Sequence, residues 1–66
     1  MKFEVKNMTG GDDSRVITKA IGTVDPDAKV AVDESTRYVT VNSWLLAEEF
    51  LIAFEEAGYD VRITEG

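Results

Sequence analysis

The sequence predicts an α+β fold: a ferredoxin-like β-α-β-β-α-β sandwich, a four-stranded antiparallel sheet with two helices on one face. Three observations predict it. Four short segments alternate apolar and polar residues, as half-buried strands do. Two longer segments repeat their apolar residues at helical spacing. The turn residues Gly10-Gly11, Gly22, Asp25-Pro26-Asp27, Asp33-Glu34-Ser35 and Gly58 divide them in that order. Strands with one apolar face and helices with one broad stripe pack most economically as two layers, which leaves the other sheet face to solvent.

Residues 2–8 read as the first strand, with Phe3 and Val5 inward and Lys2, Glu4 and Lys6 outward. Over residues 13–24 the period changes. Val16, Ile17, Ala20, Ile21 and Val24 form a stripe opposite Arg15, Thr18 and Lys19. Asp12, Asp13 and Ser14 suit the positive end of this helix, and Gly22 or the turn after it closes it. Residues 28–33 alternate through Ala28, Val30 and Val32, and residues 36–42 through Val39 and Val41, joined by a short acidic hairpin connection. Residues 44–57 read as the second helix, capped by Asn42 or Ser43 and closed by Gly58, with Leu46, Phe50, Ala53, Phe54 and Ala57 inward. Residues 59–64 form the last strand, with Tyr59, Val61 and Ile63 on one side.

The 66 residues, 7.3 kDa, are expected to form a single domain spanning residues 1–66. Size scaling gives about 10,600 Å² of surface unfolded and about 4,200 Å² folded. Burial of roughly 60% makes a marginal core with no room for a deep substrate pocket. Seven Lys and Arg against thirteen Asp and Glu leave a net charge of −6, which opposes binding to nucleic acid or to anionic membranes and permits a basic partner. No run of residues is long and apolar enough to span a bilayer, and Met1–Lys6 carries no apolar signal core, so a cytoplasmic protein is expected. Cysteine and histidine are both absent, which excludes disulfides and thiol catalysis and disfavours tight transition-metal sites built from side chains. No serine triad is present either, and no enzymatic activity is expected.

The chain resembles the heavy-metal-associated domains, in particular the small bacterial copper chaperones. The likeness starts where the first strand runs into Met8-Thr9, the place of the family's M-x-C-x-x-C loop. It continues through Val16-Ile17-Thr18-Lys19-Ala20-Ile21, Val24–Asp33 and Val39-Thr40-Val41-Asn42-Ser43. It ends on Ala53-Phe54-Glu55-Glu56-Ala57-Gly58-Tyr59-Asp60-Val61, close to the family's A-I-x-x-A-G-Y-x-V. The resemblance puts Gly10 at the first cysteine and Asp13 at the second. It therefore implies the fold and withdraws the usual copper chemistry. Glycine offers no ligand, and a carboxylate prefers hard ions such as Mg, Ca or Mn.

Two candidate sites follow. The degenerate loop Met8, Gly10, Asp12 and Asp13 is either a turn leading into a helix or a weak site for a metal ion, alone or completed by another chain. Two adjacent carboxylates fall short of the six to eight oxygens that Ca²⁺ prefers. Met8 is expected to pack inward, as the resemblance implies, and Tyr59 to pack at the core edge. The second candidate is a partner surface on the second helix, Trp44, Glu48, Leu51 and Ile52. Its apolar residues exceed one stripe, and it would meet another protein or a second copy of the chain. Glu48, Glu49, Glu55 and Glu56 flank it with negative charge. The open sheet face carries one tyrosine, Tyr38, among Lys2, Glu4, Lys6 and Thr40, a poor platform for stacking RNA bases. No cofactor is expected. The leading expectation is a protein-interaction module with a degenerate metal loop; the alternative is a metal-ion binding or transport protein.

Overall fold

The computed structural model describes residues 1–66. The elements are β1 (Lys2–Val5), α1 (Asp13–Val24), β2 (Lys29–Asp33), β3 (Tyr38–Asn42), α2 (Ala47–Glu56) and β4 (Val61–Glu65). The sheet order is β2-β3-β1-β4, antiparallel throughout. Both helices cover one face, α1 against β2 and α2 against β4, and they pack on each other. The accessible surface is 4162 Å², the value expected for a compact chain of this mass.

The strand alternation sets the core. Phe3 faces Val39 on one side and Ile63 on the other, while Val5 pairs with Val61 and Val30 with Val41. Phe3, Val5, Val39 and Val41 from the sheet meet Ile17 and Ile21 of α1 and Phe50 and Phe54 of α2, all fully buried. The Phe3 and Phe54 rings lie 5.0 Å apart at 51°, a tilted arrangement favoured by their quadrupoles. No helix is long and apolar enough to cross a membrane.

Several boundaries differ from the sequence reading. β1 stops at Val5, whose amide bonds the hairpin carbonyl of Arg37, and the chain turns at Lys6 and Asn7. α1 runs through Gly22 to Val24, and Val16 on its expected stripe is 39% exposed. The largest difference is at the start of α2. Ser43 does not cap it. Its hydroxyl donates to Asp25 Oδ2 at 2.6 Å and accepts from the Leu45 amide, so residues 43–46 form a separate corner and the helix begins at Ala47. Glu49 then reaches back to accept the Leu46 amide hydrogen at 2.8 Å, the return half of a capping box. Leu45 and Ala47 pack on the core in place of Leu46, and Ala57 is exposed.

The end of α2 is closed as expected. Gly58, at φ +93°, sends its amide to Glu55 O, and the Tyr59 amide bonds Phe54 O. This pair of bonds is the Schellman motif, and it delivers Tyr59 toward the β1–α1 loop.

Candidate functional site

Three connections share one end of the sandwich: the β1–α1 loop, the β2–β3 hairpin and the α2–β4 turn. Asn7 ties the first to the third. It donates from Nδ2 to Gly58 O at 3.0 Å and accepts the Asp60 amide at 2.8 Å. The candidate loop residues follow it. Met8 turns inward and is 5% exposed in the hydrophobic core. Gly10 and Gly11 take φ of +92° and +68°, left-handed values that a side chain opposes.

Asp13 opens α1 and closes the loop. Its Oδ2 accepts the amide hydrogens of Thr9 at 2.7 Å and Gly10 at 2.8 Å, and its Oδ1 accepts the Tyr59 hydroxyl at 2.7 Å. The Tyr59 bond and the two amides hold the Asp13 carboxyl below the usual carboxylate range, against the opposing pull of partial burial. Burial and the adjacent negative charge push the Tyr59 phenol up to about 12. Asp12 turns away into an exposed ion pair with Arg15 at 2.9 Å.

The structure therefore brings Gly10 and Asp13 together through a backbone amide and sends Met8 and Asp12 in other directions. The Asp13–Tyr59 contact joins residues 46 apart in sequence, and nothing in the local pattern announces it. No three His, Cys, Asp or Glu side chains converge as a metal-holding group. The only sulfur atoms belong to Met1 and Met8, which flank β1 at its two ends. A four-residue strand rising about 3.3 Å per residue keeps them from meeting on one ion.

The residues named for a partner surface divide. Trp44 and Ile52 are 84% and 62% exposed, joined by Leu46 at 67%, which was expected inside. Leu51 is half-buried and packs on the core edge. Glu48 is exposed on α2, as are Glu49, Glu55 and Glu56. The molecule's two ion pairs, Asp12–Arg15 and Glu4–Arg62, use none of these four. On the open sheet face Lys2 Nζ sits 4.6 Å from the Tyr38 ring centre and covers the one aromatic there.

No family model matches the sequence, and no curated protein matches it. Solved structures do. A gold binding protein is 37% identical, with a TM-score of 0.88 over 94% of this chain and 95% of that one. The copper chaperone Atx1 from Synechocystis PCC6803, in a copper-bearing trimeric form, is 31% identical at a TM-score of 0.88, covering 94% and 98%. A protein from Agrobacterium tumefaciens is 34% identical at 0.74, covering 89% and 92%.

Proposed function

From the premise that this chain belongs to the heavy-metal-associated, Atx1-like copper-chaperone family, while lacking the family's cysteine pair, we propose that it is a non-catalytic protein-interaction module whose loop does not hold Cu(I) tightly. One observation carries this reading: the residue in the second cysteine's place is committed to the protein's own structure. The Asp13 carboxylate is shared among two amides and a phenol, and the loop closes on itself through those bonds.

The names of the relatives raise a second reading, metal handling through the Met8–Asp13 segment. Gold and copper(I) are soft ions that select sulfur. Here one thioether is buried and the other lies at the far end of β1, while the loop offers oxygen. A hard divalent ion would have to take Asp13 from three donors and Asp12 from Arg15. The chemistry of the donors therefore favours the interaction module. It would work from the cytoplasm and meet its partner through the Trp44, Glu48, Leu51 and Ile52 side of the molecule.

An anaerobic Cu(I) competition against a chromogenic chelator tests this. The unaltered chain is expected to leave the chelator complex intact, while Gly10→Cys/Asp13→Cys withdraws copper from it. Withdrawal by the unaltered chain, abolished by Met8→Leu or Asp13→Asn, would overturn the reading.

A further inference from the structure

The outer face of α2 carries a one-sided charge pattern. Ile52 stands on the solvent side of α2. On a helix its surface neighbours are the residues three and four away in either direction. All four are glutamates: Glu48, Glu49, Glu55 and Glu56. No Lys or Arg occurs between Arg37 and Arg62, so neither α2 nor its flanking turns supply a counter-charge.

The helix dipole explains only half of this. Glu48 and Glu49 lie in the first turn, where negative charge is favourable, and Glu49 also accepts the Leu46 amide. Glu55 and Glu56 lie in the last turn, which holds no basic residue and where the dipole opposes them. They make no ion pair. Stability alone would place lysine there.

The apolar part extends toward the other end of the molecule. The Ser43–Asp25 bond ties the β3–α2 corner to the α1–β2 turn, away from the Met8–Asp13 loop. Trp44 and Leu46 project from this corner. Ile52 follows Leu46 by six residues, about 9 Å along the axis at 1.5 Å per residue and about 120° around it at 3.6 residues per turn, with Glu49 between them.

We propose that Ile52 forms the apolar centre, and the α2 glutamates the rim, of a docking site for a partner protein in which Lys and Arg flank an apolar recess, with Trp44 and Leu46 at its N-terminal edge. This deepens the interaction-module reading and rests on it. Charge complementarity selects this occupant over a second copy, because a symmetric pair would set one acidic helix against another in a chain of net charge −6.

The test uses a synthetic 18-residue amphipathic Leu/Lys peptide as the cationic apolar probe. Trp44, the sole tryptophan, is the reporter. The expected result is a saturable one-to-one blue shift of its emission, with affinity falling at least tenfold between 25 and 250 mM KCl. Ile52→Ser and Glu55→Lys/Glu56→Lys should each weaken it at least tenfold. The second variant removes an unfavourable dipole interaction, so its thermal midpoint should not fall, and loss of binding there is not loss of fold. Equal binding by Ile52→Ser would reduce the effect to general charge attraction and overturn the proposal. So would no blue shift at all, or a peptide-free dimer in sedimentation that Ile52→Ser disperses. Any of these, with the Cu(I) competition unchanged, would remove the basic partner and leave the metal-silent reading of the loop standing.

Discussion

Replacing Ser43 by alanine should lower stability by about 2 kcal/mol, although the side chain lost is a single hydroxyl. Asp25 is 6% exposed, the one charged residue in the buried set. Its carboxylate has two donors, the Asp27 amide at 3.0 Å and the Ser43 hydroxyl at 2.6 Å, the second in the range of charge-assisted bonds. A hydrogen bond to a charged group contributes roughly 1.5–3 kcal/mol, and stranding a buried acceptor costs its desolvation as well. The Leu45 amide, which donates to the Ser43 hydroxyl oxygen at 3.1 Å, loses its partner too. At about 2.1 cal/mol/K per residue, a chain of 66 residues unfolds with an entropy of about 0.14 kcal/mol/K. A 2 kcal/mol loss therefore moves the thermal midpoint down by about 14 °C. Far-UV circular dichroism is the suitable probe, since Trp44 is already exposed in the folded state. Asp25→Ala/Ser43→Ala should cost less than the two single changes added together, because the pair shares one bond. A shift below about 3 °C for Ser43→Ala would show that water replaces the hydroxyl and that the bond does not hold the two turns together.

Three further outcomes concern the loop. Asp13 has a folded pKa lowered from the ordinary carboxyl value of 3.8, so its stabilisation is present above that value and lost as the pH falls through the folded one. Asp13→Asn should accordingly lower stability at neutral pH and flatten the fall in urea midpoint below pH 4; an unchanged acid limb would refute the clasp. Tyr59 should ionise near pH 12 in an ultraviolet titration at 295 nm. Since its folded pKa is raised from 10.0, its stabilisation is present below pH 10 and lost between 10 and about 12. Asp13→Asn should bring that midpoint down part of the way, leaving the contribution of burial. Gly10→Ala should destabilise by about 1 kcal/mol from its left-handed backbone alone, since the added methyl would meet only Glu34 Oε2 at 4.0 Å; a neutral result in chemical denaturation would refute the strain.

The strands and the closing turn of α2 were legible because their information is local. Alternation at Phe3/Val5, Val39/Val41 and Val61/Ile63 needs only period two, and Gly58 needs only its own freedom at positive φ. The start of α2 was not legible. Ser43-Trp44-Leu45-Leu46 reads as a capped apolar run, but the cap residue is drawn to Asp25, 18 positions away. That tertiary bond delays the helix, moves Leu45 inward and leaves Leu46 outside. The loop shows the same limit. The sequence marks the loss of both sulfur ligands, yet it gives no sign that Asp13 meets Tyr59, because that contact exists only once α2 and β4 are in place.

These two regions use the same functional group in opposite ways. At Asp13 a carboxylate gathers three donors, so the negative charge is answered inside the molecule. On α2 the carboxylates of Glu48, Glu55 and Glu56 have no protein donor, and two of them stand where the helix disfavours them. A charge that is internally satisfied has little left to offer an ion or a partner. A ring of charge that is not, set around the exposed Ile52, retains its field. The loop between Met8 and Asp13 therefore closes on itself, while the outer face of α2 keeps carboxylates that nothing within the fold answers.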